Sequence, residues 1–305
     1  MPAVRNVCVI LNERSGDHSE GDRRARISAL LDEAGIESKI AVPSGDEDLV
    51  VFARKSLEQS GAEMLVAAGG DGTIAAVAAA SHDAGVPMGV IPQGTFNYFA
   101  RGLEIPEDME GAIEVLATGR LHDMPLGEVN GEVFLNNTSL GVYPLILQRR
   151  ESIYERWGRS RLAAYWSVIL ALTGFRRPLK LRLTLDGREE RLRTPLAFVA
   201  KSAYQLERFN LDGADAIRDG HFALFTAKGE RSIDLVRTAL KLAGGSAQNG
   251  SDFDLQIARD ITIHTGRKHT LVARDGEKTL MKTPIRIRLR DAPLQVMVPG
   301  TQPEQ

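Results

Sequence analysis

The sequence predicts two domains of different build: a Rossmann-like α/β domain, then a mainly antiparallel β-sandwich. Three observations carry this. Residues 1–122 alternate short β-rich runs with segments of helical spacing, the pattern of βαβ units around a parallel sheet. Beyond residue 123, strands follow strands with turn dipeptides between them. The chain has 305 residues, long for one core and comfortable for two.

In the first domain, residues 7–11 form a short apolar strand. Residues 23–33 carry Ile27, Leu30 and Leu31 at helical spacing. Residues 36–42 are strand-like and 47–60 helical. Residues 64–68 make a buried strand that breaks into Gly69-Gly70-Asp71-Gly72-Thr73, and the alanine-rich 74–80 is helical. Residues 86–91 are a further buried strand. Open sheets of this kind take ligands at the carboxyl ends of their strands.

The second domain, residues 123–295, opens with Asn130-Gly131 between apolar residues, a hairpin signal. Strands are expected at 180–185 and 189–193 around Asp186-Gly187. More follow at 196–200, 221–226, 254–257, 260–265, 269–273 and 285–290. Helical segments interrupt near 152–173 and 232–243. Residues 296–305 are a tail that is free to return to the first domain, and its end is expected to fray. The groove between domains is the default place for a ligand.

Net charge is −2, which gives no global attraction to nucleic acid or anionic membrane. The single cysteine, Cys8, lies in an apolar run and reads as a buried strand residue, so no disulfide forms within one chain. The start of the chain has no cationic segment followed by a long apolar one. The longest apolar stretch elsewhere, near 166–175, falls short of the roughly 20 residues of a membrane span. The expectation is a cytoplasmic protein.

The informative segments are two loops. In Gly69-Gly70-Asp71-Gly72-Thr73 a buried strand turns into a helix through glycines. Glycines let backbone N–H groups approach a ligand, and the helix start favours an anion such as phosphate. No Gly-Lys-Ser/Thr follows, so it is not a Walker loop. An acid beside a phosphate makes sense when Mg²⁺ lies between them, or when Asp71 orients another group. The second loop, Pro92-Gln93-Gly94-Thr95-Phe96-Asn97-Tyr98-Phe99-Ala100-Arg101, repeats the arrangement after the next strand. Thr95 and Asn97 there could equally cap a helix.

Together these two segments resemble the paired signature of the diacylglycerol kinase catalytic-domain family, the bacterial diacylglycerol/sphingosine-type lipid kinases. The first element is also found in NAD kinases and phosphofructokinases; the second, ending Phe-Ala-Arg, marks the lipid kinases. Asn12-Glu13-Arg14-Ser15-Gly16, Leu121-His122-Asp123, Asn136-Asn137-Thr138-Ser139-Leu140-Gly141 and Arg274-Asp275-Gly276-Glu277 extend the likeness over most of the chain. Two departures stand out. Tyr98 replaces a usual acid, and Ala41, Val42 and Pro43 stand where the family has a threonine.

The resemblance implies an α/β domain of the NAD kinase/diacylglycerol kinase type and a kinase that uses ATP and Mg²⁺. It implies that Asn12, Gly69, Gly70, Asp71, Gly72, Thr73, Gly94, Thr95 and Asn97 hold ATP. Asp71 works with the magnesium–phosphate assembly, and Asp123 supports Asp71 or the metal-bound water. Glu277 matches the catalytic base; a carboxylate facing a lipid hydroxyl in a partly dry cleft would have a raised pKa. Without the resemblance, Asp275-Gly276-Glu277 is simply a hairpin turn. Asp219 is implied to ligate a structural Mg²⁺ with the carbonyls of Ala216 and His221. The other histidines noted, His82, His122, His264 and His269, have no ligand spacing.

The implied partner is a lipid met at the membrane surface. Residues 148–177 interleave Arg149, Arg156 and Arg161 with Tyr154, Trp157 and Trp166, which suits peripheral contact at an anionic inner membrane face. Packing of that helix on the sandwich is the alternative. Nucleic acid is not expected, and a homodimer is compatible with the sequence. Two other functions stay open: another small-molecule kinase of the superfamily, NAD kinase-like, or a non-catalytic lipid- or nucleotide-binding regulatory protein.

Overall fold

The computed structural model describes residues 4–12, 20–44, 47–144, 178–229 and 249–300, with 234–235, 237–238 and 241 between them. The chain forms two units, Met1–Leu126 with Arg290–Gln305, and Gly127–Leu289. The first unit extends a few residues past 122 and takes the chain back at Arg290, earlier than 296.

In the first unit, β1 (Asn6–Leu11), β2 (Glu37–Ala41), β3 (Met64–Gly69) and β4 (Met88–Pro92) lie parallel in the order β2-β1-β3-β4. Beyond β4 stand the returning β18 (Leu294–Val298), parallel to it, and then β5 (Arg120–Met124), antiparallel. Every residue of β3 and β4 is buried, as a parallel strand covered on both faces must be. Cys8 is buried in β1, and burial raises its pKa. The helices are α1 (Glu20–Glu33), α2 (Leu49–Ser60), α3 (Asp71–Ala84), α4 (Tyr98–Gly102) and α5 (Met109–Thr118). Asp48 caps α2 by accepting the N–H groups of Val50 and Val51, and Gly61 ends it at φ 65°.

The return of the chain is tied to the end of α3. His82 Nε2 lies 2.9 Å from the Ala292 carbonyl, and Arg290 reaches the Asp83 carboxylate at 2.7 Å.

Among its described residues, the second unit forms two six-stranded antiparallel sheets. One contains β6 (Gly127–Val129), β7 (Glu132–Phe134), β9 (Leu179–Leu185), β10 (Arg188–Thr194), β14 (Ile261–His264) and β17 (Ile285–Leu289), in the order β10-β9-β14-β17-β6-β7. The other contains β8 (Asn137–Gly141), β11 (Leu196–Ala200), β12 (Phe222–Ala227), β13 (Phe253–Ala258), β15 (His269–Arg274) and β16 (Glu277–Lys282), in the order β13-β12-β11-β8-β15-β16. Phe134, Leu140, Val199, Phe222, Ile263 and Ile287 belong to the shared core, so the sheets are the two halves of a sandwich. The Asn130-Gly131, Asp186-Gly187 and Asp275-Gly276 turns all have positive φ at both positions, as two-residue hairpins require. Two short helices, α6 (Ala203–Arg208) and α7 (Ala214–Arg218), follow β11. The helix expected at 152–173 and most of that at 232–243 lie outside the described residues.

Candidate active site

β3 and β4 end side by side: Gly69 pairs with Pro92, and the Gln93 N–H donates to the Gly69 carbonyl at 2.8 Å. α3 starts at Asp71, earlier than the sequence suggested. Gly70 is its N-cap, with no side-chain cap. The Ile74 N–H donates to the Gly70 carbonyl at 3.0 Å as the first helical bond. The N–H groups of Asp71, Gly72 and Thr73 therefore have no partner inside the helix, which is the anion-binding condition of a helix start. The second loop presses against this start. A Cβ on Gly94 would lie 2.9 Å from Gly70 Cα, so only glycine allows this approach.

Asp71 joins the two loops. It is half-buried, and burial pushes its carboxyl above the usual value. The backbone N–H groups of Phe99, Asn97 and Tyr98 and the Arg101 guanidinium pull the other way. The carboxylate thus faces the start of α4. Its Oδ1 is buried with no hydrogen-bond partner among the described residues. Such an oxygen costs free energy unless a cation or donor reaches it.

Asn97 braces the second loop. It adopts φ 48° and is buried. Its Oδ1 accepts the Gly94 N–H at 2.9 Å, and its Nδ2 donates to Glu107 at 2.8 Å. Both ends of the amide are committed to holding the loop, so Asn97 shapes the site from behind. Thr73 is buried and accepts from Asn12 Nδ2 at 3.0 Å, which brings Asn12 to the first loop. Thr95 is exposed at the second loop. The neighbouring Phe96 and Tyr98 rings stack in parallel, centroids 5.5 Å apart.

One cation here escaped the sequence reading. Arg23 on α1 is buried, and its Nη1 donates to Gln93 Oε1 at 3.3 Å. It follows a polar stretch, and its burial has no signal in spacing alone.

Asp123 lies elsewhere. His122 shares a rung with Val296, Met88 and Leu65, and Asp123 pairs one step further on with Gln295. That is the amino end of β3 and β4, whereas Gly69 and Pro92 close the carboxyl end. Five residues at about 3.3 Å each, and three strand spacings of about 4.8 Å, separate the two levels. The structure does not bring Asp123 to Asp71; the Asp123 carboxylate accepts from Gln295 instead, at 3.3 Å.

In the second unit, Glu277 is exposed as the first residue of β16, paired with Arg274 across the Asp275-Gly276 turn. The Asp219 turn closes on its own hydrogen bonds. Asp219 N–H donates to the Asp215 carbonyl at 3.0 Å and His221 N–H to the Ala216 carbonyl at 3.0 Å. His221 Nε2 faces the Arg259 guanidinium, and Asp219 is exposed. The Ala216 carbonyl thus accepts one backbone N–H and keeps a second lone pair. Asp219→Ala is expected to shift the melting temperature by no more than an ordinary surface change, about 0.5 kcal/mol. If Asp219 holds an ion, millimolar Mg²⁺ should raise the melting temperature of the wild type more than that of the variant. Residues 148–177, the expected membrane-facing segment, lie outside the described residues.

A sequence profile of the diacylglycerol kinase catalytic domain matches residues 6–129, and one of the YegS C-terminal NAD kinase β-sandwich-like domain matches 146–298. A diacylglycerol kinase of Bacillus subtilis (strain 168) is 26% identical over 280 residues, 90% of each chain. One from Staphylococcus epidermidis is 36% identical over 132 residues, 42% of this chain and 41% of that one. A crystal structure of a diacylglycerol kinase from Bacillus anthracis str. Sterne superposes with TM-score 0.68 at 17% identity, covering 98% of both chains. A second structure from that organism gives 0.75 at 18%. These structural likenesses speak for the fold, an α/β domain followed by an antiparallel sandwich.

Proposed function

The chain belongs to the diacylglycerol kinase catalytic-domain family, and from that premise we propose that it is a lipid kinase. It transfers the γ-phosphoryl of ATP to the hydroxyl of a diacylglycerol-like or sphingoid-like lipid. The observation that carries this reading is the contact of Gly94 with Gly70, which sets two loops and an acid at one sheet end. The names of the relatives support the kinase class.

The N–H groups of Asp71, Gly72 and Thr73 donate to the phosphates, and Thr95 lines the same loop end. Asp71 is the residue that fits Mg²⁺: a half-buried hard oxygen ligand with one buried oxygen lacking a partner among the described residues. Bound there, Mg²⁺ would neutralise charge on the phosphates. Arg23 adds positive charge beside Gln93. Glu277 accepts the proton of the lipid hydroxyl as its oxygen bonds to the γ-phosphorus and the bond to the β–γ bridging oxygen breaks, releasing ADP. Glu277 is exposed, so a dry surrounding has to come from the bound lipid itself. The lipid is approached from the water side; among the described residues no helix is long and apolar enough to cross a membrane.

Incubation with γ-labelled ATP, Mg²⁺ and a total lipid extract should move label into the organic phase. Label recovered on NAD, or ATP bound with nothing phosphorylated, would reject the lipid kinase reading. Arg23→Met should raise the KM for ATP about 10- to 100-fold, the worth of one charge-assisted hydrogen bond, with kcat changed far less. An unchanged KM would remove Arg23 from the nucleotide site.

A further inference from the structure

One outer face of the sandwich is basic. In the sheet ordered β10-β9-β14-β17-β6-β7, Leu181, Leu183, Ile263 and Ile287 point into the shared core. Side chains alternate along a strand, so Lys180, Arg182, His264, Arg286 and Arg288 point to the outside. Register then sets cation opposite cation. Arg191 pairs with Arg182, and Arg182 pairs on its other side with His264. Arg193 pairs with Lys180 on the next outward rung. On the rung to the other side, Arg286 pairs with Thr262. Lys180, Arg182, Arg191, Arg193 and Arg286 are all exposed, whereas Leu181, Leu183, Ile285 and Ile287 between them are buried.

Paired strands stand about 4.8 Å apart and outward rungs about 7 Å, so neighbouring charges lie within one screening length of about 8 Å. Like charges directly opposite each other weaken a sheet. Acids give little relief. Among the described residues, the side chains of Lys180, Arg182, Arg191, Arg193 and Arg286 make no ion pair or hydrogen bond. Glu128 is taken by Arg288 at 2.9 Å, and the Asp186 carboxylate accepts the N–H groups of Arg259 and Asp260. Glu189 pairs with Thr184, on the side away from Lys180. Protection of an open edge explains charge on β10, which ends the sheet. It does not explain Arg182 and Arg286, which lie on inner strands. The whole chain carries −2, so this surplus is local.

We propose that this sheet face docks onto an anionic membrane surface and holds the protein there while it acts on lipid. The choice of partner rests on the lipid kinase reading. The face suits lipid head groups: it spans β10, β9, β14 and β17, it is positive, and those strands hold no aromatic ring. Single-stranded nucleic acid is gripped by stacking its bases on aromatics, which are missing here. Each cation near an anionic surface adds about fivefold in affinity.

The test floats the full chain with vesicles of phosphatidylcholine and phosphatidylglycerol in equal parts, free of diacylglycerol, and with vesicles of phosphatidylcholine alone. Wild type should bind the mixed vesicles only, and leave them at high salt. Arg182→Gln/Arg191→Gln should bind them about 30-fold more weakly and melt no lower than wild type, because a like-charge pair is gone. Arg54→Gln/Lys55→Gln, with the same net charge but changed at exposed positions of α2, should bind like wild type. On diacylglycerol dispersed in uncharged detergent, Arg182→Gln/Arg191→Gln should keep its kcat. On mixed vesicles carrying diacylglycerol, its KM for lipid should rise about 30-fold. Four results would overturn the proposal: equal binding by wild type and Arg182→Gln/Arg191→Gln, an equal loss in the α2 control, wild type bound alike to both vesicles, or tighter binding to an RNA oligonucleotide than to vesicles. Vesicle binding that follows the arginines in a protein that phosphorylates no lipid would sink the kinase reading and leave the docking face standing. Lipid phosphorylation with vesicle binding indifferent to the arginines would do the reverse.

Discussion

Glu277→Ala should turn over lipid about 10²- to 10⁴-fold more slowly than wild type, the usual worth of a positioned general base. The loss should fall on kcat, with the KM for ATP near its original value, because the loops proposed to hold the nucleotide belong to the first unit. Stability should hardly move. Glu277 is exposed, and surface changes of that kind stay within about 0.5 kcal/mol. Glu277→Gln should behave alike, since it keeps the shape and removes only the basicity. Initial rates at saturating ATP and lipid, with a melting curve for each variant, decide the matter. A Glu277→Ala protein with wild-type kcat would end its assignment as the base.

Asp71→Asn separates two duties of one carboxylate. Its amide oxygen can still accept from the start of α4, but it carries no charge for a cation. Turnover should fall roughly a thousandfold, the several kcal/mol that metal-assisted charge neutralisation supplies. Stability should move the other way. Burial raises the folded pKa of Asp71, so its favourable contribution is present below the unfolded value of 3.8. That contribution is lost as pH rises through the raised folded value. At pH 7 the ionised carboxylate is therefore a cost, and Asp71→Asn should melt no lower than wild type. Asp71→Ala should be as inactive and also less stable, by about 1–3 kcal/mol, because the α4 amides lose their acceptor. If Asp71→Asn were active, or melted as low as Asp71→Ala, the carboxylate would be no more than a brace.

Much of this arrangement was legible in the sequence because it rests on local chemistry. Asn130-Gly131, Asp186-Gly187 and Asp275-Gly276 each announce a turn by residues that tolerate positive φ, and each turn is there. The two glycine loops follow buried strands for the same reason. What stayed hidden depends on distant partners. Asn97 looks like a ligand or a cap, and only the fold adds its brace, a hydrogen bond to Glu107. Asp123 lies in a plausible motif, but strand register decides which end of the sheet it occupies, and its partner Gln295 is far along the chain.

The position of β18 bears on how the protein is made. Between β4 and β5 stands a strand contributed by residues 294–298. On the ribosome, the segment holding both glycine loops emerges long before that strand, with β4 lacking its neighbour. An open edge of fully buried sequence invites pairing with other chains. The His82–Ala292 and Arg290–Asp83 contacts form only after residues 290–292 have been synthesised. The first unit therefore cannot mature as an independent N-terminal module: its sheet closes only after the entire sandwich has been synthesised.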